Sequence, residues 1–413
     1  KGNKLEIAKN LDLFPYIESF VDEIKINRLR LKQVNLNLKW QEKKITDKKI
    51  DLDFREIYVA ENQSSGTLLN SKEFEISTTD LKVKSKDNRY EFSAGSLIYN
   101  SAKHNILLKN ANVTPLLKTN EFPRRTGFQT DVTRASAELI ELSGIDENLW
   151  LEENIISARR LKIGKTNASI FRDKRFPFNH NQRPPWPQDL LKNISQPFVF
   201  DSLVLVPSDI LYSELLDASD EPGTISFNKL ALKTGRISNI PEIIRSQKFL
   251  EINAGAHINQ IAPVTARLTF DLASENYAHT LSGSMGPVAF SNFNSMVEKS
   301  APVTLESGQI NRFDFDFELN DKFAVGDLYF GYDDFKISIL QWSDDGSKKS
   351  KLASFWANKM VLNSKNPKGN QFPPEKVIYH RDVERSVINY WWKSIFTGIK
   401  QTLGLKTEDK APR

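Results

Sequence analysis

The side chains able to do chemistry are few and scattered. Five histidines, His104, His180, His257, His279 and His380, show none of the close spacing that metal ligands adopt. There are no cysteines, so disulfides, thiolate zinc sites, iron–sulfur clusters and cysteine nucleophiles are excluded. No serine occupies a G-x-S-x-G elbow, and the "LSGSMG" run at 281–286 has the character of a loop. There is no G-x-x-x-x-G-K-[ST], and no G-x-G-x-x-G leads from a strand into a helix. Adjacent acids occur at Asp333–Asp334 and Asp344–Asp345. Neighbours on a strand point apart, and the second pair lies in a polar turn, so no shared acid/base dyad is expected. The residue types therefore predict no catalytic site, no cofactor and no metal centre.

A different chemistry, the covering of apolar surface, is written in "RFDFDFEL" (312–319). Phe313, Phe315, Phe317 and Leu319 alternate with Asp314, Asp316 and Glu318. Successive strand side chains point to opposite faces, so one face is greasy and the other charged. Something must cover the greasy face. Phe is frequent at 26 of 413 residues, which suits pleated, half-buried sheets. The hydrophobic fraction is 39% with mean hydropathy −0.45, lean for a chain with one large compact core. Net charge is only +5 with signs interspersed, and basic clusters such as "FRDKR" (171–175) are too short for a nucleic-acid patch. No run approaches the roughly 18 apolar residues of a membrane span. The chain opens mid-pattern without Met, and an upstream anchor removed from it is expected.

The elements that would position this face read as strand after strand. A short helix is expected at 11–23, with Pro15 in its first turn. Alternation then marks 25–40, 89–95, 198–206, 250–258, 266–272 and 335–340, separated by polar turns. Leu29, Leu31, Val34, Leu36 and Leu38 share their spacing with Leu161, Ile163, Thr166, Ala168 and Ile170. The spacing returns at Leu203, Leu205, Ser208, Ile210 and Tyr212. Each copy is a strand, a step that shifts the phase, and a continuing strand. That is the pattern of a β-bulge, and repeated bulges would curl a long sheet. Pro184, Pro185 and Pro187 mark a boundary near 185. It divides an N-terminal sheet segment (1–185) from a C-terminal one (186–375), followed by a helix and tail (376–413). A helical piece is also expected at 241–249, with Pro at its start.

In 381–406, Val387, Ile388, Trp391, Trp392, Ile395, Ile399 and Leu403 fall along one helical stripe. Such a cationic amphipathic helix could lie in a membrane interface, with Trp391, Trp392, Ile395 and Ile399 as contacts. It could equally close the end of the sheet.

The stretch 276–340, with "GSMG", "NSMVEKSAPV", "ESGQI", "AVGDL" and "GYDDFKISIL", resembles the C-terminal module of AsmA-like envelope proteins. Upstream "LKNANVTP", "ASIFRDKRFP", "LVPSDILYSEL" and "GTISFNKLAL" resemble the longer members of this type in Bacteroidetes. The resemblance implies a curled, taco-like antiparallel β-groove of the TamB and YhdP kind, similar to bridge-like lipid transfer proteins. It implies a Gram-negative periplasmic location, an inner-membrane anchor, and phospholipid or other acyl lipid as cargo moved between membranes in outer-membrane biogenesis. Other envelope proteins are possible partners; nucleic acid is not. About 20 strands at roughly 4.8 Å would make a sheet of about 100 Å. The expected groove lining is Phe270, Leu272, Phe313, Phe315, Phe317, Leu319, Ile337 and Ile339. On an open groove, Phe315→Asp would leave folding intact, since water reaches the side chain. The alternatives are a closed β-sandwich that binds envelope proteins and, more remotely, a polysaccharide enzyme on a β-scaffold.

Overall fold

The computed structural model describes residues 20–40, 43–60, 71–216, 220–301, 303–339, 362–369 and 371–405. The helix expected at 11–23 lies outside them except for 20–23, which are not helical: 20–22 turn into the first strand, which starts at Glu23. The first half contains β1 (Glu23–Trp40), β2 (Lys43–Ala60), β3 (Ser71–Lys84), β4 (Tyr90–Asn100), β5 (Asn105–Pro115), β6 (Asp131–Ile145), β7 (Ile156–Ile163) and β8 (Thr166–Asp173). Next come β9 (Phe198–Phe200), β10 (Leu203–Leu215), β11 (Gly223–Thr234), β12 (Ile237–Ser238), β13 (Phe249–Ile258) and β14 (Ala262–Asp271). The last are β15 (His279–Met285), β16 (Val288–Ala289), β17 (Val303–Leu319), β18 (Phe323–Ile339) and β19 (Glu375–His380). The helices α1 (Glu121–Thr126), α2 (Glu147–Glu153), α3 (Pro187–Lys192), α4 (Pro241–Gln247) and α5 (Asn294–Ser300) are short. Only α6 (Val387–Thr402) is longer among the described residues. It begins six residues later than the apolar pattern suggests, where the Ser386 side chain accepts a hydrogen bond from the Asn389 amide.

These nineteen strands form one sheet. Pairing is antiparallel except where β7 and β8 run parallel to β9 and β10. A parallel step requires a crossover. Here it is the Pro-rich segment 174–197 carrying α3, so the boundary expected near 185 falls in a connection while the sheet runs on past it. β7 with β8, β9 with β10, β11 with β12 and β15 with β16 share positions, so nineteen strands less four leaves fifteen places in the sheet. Fourteen steps of about 4.8 Å give a length of about 67 Å, shorter than the sequence suggested.

The phase-shifting steps are register breaks. β1 slips against β2 between Leu31 and Val34, and β10 against β11 between Leu205 and Ser208. The third copy is the gap between β7, ending at Ile163, and β8, starting at Thr166. The ladders bring such irregularities into line. Asp80, Gly95, Asn110 and Glu138 are side by side across β3 to β6, level with the β7–β8 gap and the step in β10. Asp80 and Asn110 have φ of 56° and 52°, and Lys229 in β11 has 52°. Bulges bend and twist their strands. A row of them at one height curls the sheet across its strands.

One face of this curl carries an apolar row that runs its whole length, interrupted only at Thr234 and Gly326. The ladders align Leu31, Leu52, Ile76, Tyr99, Ile106, Leu142, Leu161 and Leu203 from β1 to β10. The same row continues through Thr234, Ile252, Leu268, Leu281, Phe317, Gly326 and Val377 to β19. On the opposite face the adjoining row reads Glu141, Lys162, Val204, Lys233, Asn253, Arg267, Ser282, Asp316, Asp327 and Lys376. Period-two alternation gives each strand a wet side and a greasy side, and the registers add them into two continuous surfaces.

Candidate functional site

The greasy face has two regimes. At the C-terminal end protein covers it. Phe313, Phe315, Phe317 and Leu319 are buried, Phe317 completely, in one cluster with Leu328, Phe330, Tyr332, Val377 and Tyr390. Helix α6 is the cover, with Val387, Trp391, Ile395 and Ile399 packed onto this cluster. Gly398 allows the close approach: a Cβ there would lie 2.6 Å from Leu328 Cδ2 and 2.9 Å from Val377 Cγ2. Gly283 does the same beneath Phe315, whose Cζ would be 2.6 Å from an added Cβ. This explains why "LSGSMG" is not the loop its glycines suggest: through Met285 it is strand β15, with Gly283 making room for a ring.

The residues expected to line a groove therefore do not form one open surface. Phe270 and Leu272 belong to a separate cluster with Leu191, Phe198, Ile244 and Leu250, closed by α3 and α4. Ile337 packs against the main cluster, and the side chain of Ile339 lies outside the described residues. The expectation that Phe315→Asp is tolerated does not fit this placement, because water does not reach Phe315. The expected helical stripe also splits. Trp391, Ile395 and Ile399 face the core, whereas Ile388 and Trp392 are 69% and 51% exposed.

A polar latch holds α6 down. The Trp391 indole N–H donates to His279 Nε2 at 3.0 Å, and His279 Nδ1 donates to the Tyr277 carbonyl at 2.7 Å. These two bonds define a neutral imidazole. Its ring stacks on Phe270 with centroids 5.4 Å apart. Burial brings the His279 pKa down to about 4, with the Arg381 charge adding to it and the Tyr277 carbonyl opposing. The unfolded chain thus binds a proton near pH 6.5 that the folded chain refuses until about pH 4. Stability contributed by this site is full above pH 6.5 and falls as pH drops toward 4, by about 3 kcal/mol in total. Urea unfolding between pH 7 and 4 should show this slope, and His279→Gln should flatten it.

From β3 to β11 the same face is not closed over. Leu142, Leu161, Leu203, Leu205 and Leu232 are only half-buried and belong to none of the packed clusters. A second row runs beside the first through Leu97, Leu108, Ile140, Ile163, Leu205 and Leu232. Beyond the line of bulges a third follows through Val83, Phe92, Val113, Ala135, Ala168, Ile210 and Phe227. Val83 and Phe92 are 66% and 47% exposed. The lining missed in the sequence was nonetheless signalled there. Leu161, Ile163, Ala168, Leu203, Leu205 and Ile210 are members of the spaced repeat, and all six stand in these rows.

The apolar face ends in an ionic lip. Asp131, Arg172 and Glu214 are neighbours across β6, β8 and β10. Arg172 donates to Asp131 through two bonds, of 2.6 and 2.5 Å, and Lys174 donates to Glu214 at 2.5 Å. Beside this lip Phe122 of α1 is buried against Tyr90, centroids 5.3 Å apart, and the Tyr90 hydroxyl donates to the Asp131 carbonyl at 3.2 Å. Among the described residues, no three His, Asp or Glu side chains converge as metal ligands, and no helix is long and apolar enough to cross a membrane. The arrangement offers a long apolar trough with charged margins. No known family model matches the chain, and no curated protein matches it either.

Proposed function

We propose that this chain is an AsmA-like envelope protein that binds acyl lipids along its curled sheet and shields them in passage between membranes. The supporting observation is the apolar row that runs unbroken in register from β1 to β10 and stays half-open between β3 and β11. A soluble monomer tolerates only a few hundred Å² of contiguous apolar patch. Three rows, each crossing six to eight strand positions, exceed that, and an acyl chain recovers roughly 0.8 kcal/mol per buried CH₂. Such cargo needs no directional contacts, in keeping with rows made up mainly of aliphatic and aromatic side chains.

The proposed setting is the periplasm of a Gram-negative cell, with the inner membrane as the point of attachment. The pattern of motifs in 276–340 supports kinship with AsmA-like proteins. The competing sandwich architecture needs two sheets packed about 10 Å apart, whereas the described strands all join one. Native mass spectrometry of protein purified without detergent is expected to show phospholipid adducts, released on raising the collision energy. Adduct-free protein from cells rich in phospholipid would overturn the proposal.

A further inference from the structure

The flank of α6 turned away from the core carries a cationic and aromatic cluster that the fold does not use. Trp392 and Phe396 stack with centroids 5.4 Å apart. The ammonium groups of Lys393 and Lys400 lie 5.8 and 5.5 Å from the centre of the Phe396 ring. Neither lysine forms an ion pair among the described residues. Lost hydration lowers the pKa of Lys393, and the like charges of Lys400, Lys174 and Arg385 lower it further, against the pull of Glu214. Lys174 follows the end of β8 and Glu214 lies near the end of β10, so the Lys393 ammonium, though exposed, stands within electrostatic reach of the sheet margin. The acids there are already engaged: Glu214 by Lys174 and Asp131 by Arg172. What remains is an excess of positive charge beside apolar surface.

We propose that Lys393 and Lys400 hold the anionic headgroup of a single lipid, whose chain lies on Phe396, Trp392 and the inner face of β8 to β11. This rests on the lipid-groove reading and adds a headgroup preference to it. Charge complementarity selects an anion, and the ring between the two ammonium groups selects an amphiphile over a free ion. A position between helix and strand ends favours one molecule over a bilayer surface, which would require the lysines on an outward convex face.

Calorimetric titration of the purified chain tests this with dodecyl phosphate and dodecyl maltoside, each below its micellar concentration. The wild type is expected to bind dodecyl phosphate the more tightly. Lys393→Gln with Lys400→Gln should weaken dodecyl phosphate roughly 10- to 30-fold, about a kcal/mol per lysine, and leave dodecyl maltoside unchanged. Lys82→Gln with Lys233→Gln, which removes the same charge from the outer face, should change neither, and melting temperatures should show that both variants fold. An unaltered preference in the α6 variant would overturn the headgroup site alone. Displacement of dodecyl phosphate by equimolar inorganic phosphate would overturn it in favour of a simple anion site. Lysine-dependent binding of phosphatidylglycerol vesicles without binding of the monomer would overturn it in favour of a membrane surface. Failure of the wild type to bind either amphiphile would overturn the groove reading with it.

Discussion

Phe317→Asp is expected to unfold the C-terminal part of the sheet, at a cost of about 4 kcal/mol or more. The ring is completely buried between strands β15 and β18 and beneath α6. Truncating such a phenylalanine alone costs about 3–5 kcal/mol. A carboxylate adds desolvation without a partner. Native stabilities are commonly about 5–15 kcal/mol, so most of the margin is lost. Phe315→Asp should behave alike, since Phe315 stands next to it in the same cluster. Denaturant unfolding by circular dichroism checks both, and a variant as stable as wild type would show that α6 does not seal this face.

The same substitution in the open region is expected to have the reverse profile. Leu108→Asp combined with Leu142→Asp places two charges on adjacent inner-face rows of β5 and β6, where the leucines are only half-buried. Water can hydrate those carboxylates, so the stability loss should stay near 1–2 kcal/mol for the half-covered area given up. Bound lipid, quantified by extraction and mass spectrometry, should fall at least about tenfold, because a chain crossing that point would have to desolvate both charges. If this variant unfolds as readily as Phe317→Asp, the inner face is core throughout.

The contrast between these two sites marks the limit of what the sequence discloses. Alternation in "RFDFDFEL" assigns Phe313, Phe315 and Phe317 to one face, and the spacing of Leu161, Ile163 and Thr166 places a break in the strand. Both are local properties of the chain, with period two and a slip of one residue. What covers a face is not local. Trp391 meets His279 across 112 residues of sequence, and the parallel pairing of β8 with β10 depends on a crossover whose prolines read simply as a boundary. Gly283 was misleading for a similar reason, since its value lies in the ring of Phe315 on the next strand. The helix stripe likewise contained both inward Trp391 and outward Trp392, which only a docked partner surface can tell apart. The open lining was legible as a repeat but not as a site, because half-buried leucines carry no chemical signature.

Photocrosslinking from adjacent residues on opposite faces tests the central claim most directly. A diazirine amino acid would replace Leu142 or Leu161 on the apolar row, and Glu141 or Lys162 beside them on the charged face. The protein would be irradiated in cells and its adducts weighed. Lipid adducts at 142 and 161, with none at 141 and 162, are the predicted result. Equal labelling of the two faces, or no lipid adduct from either, would contradict the account.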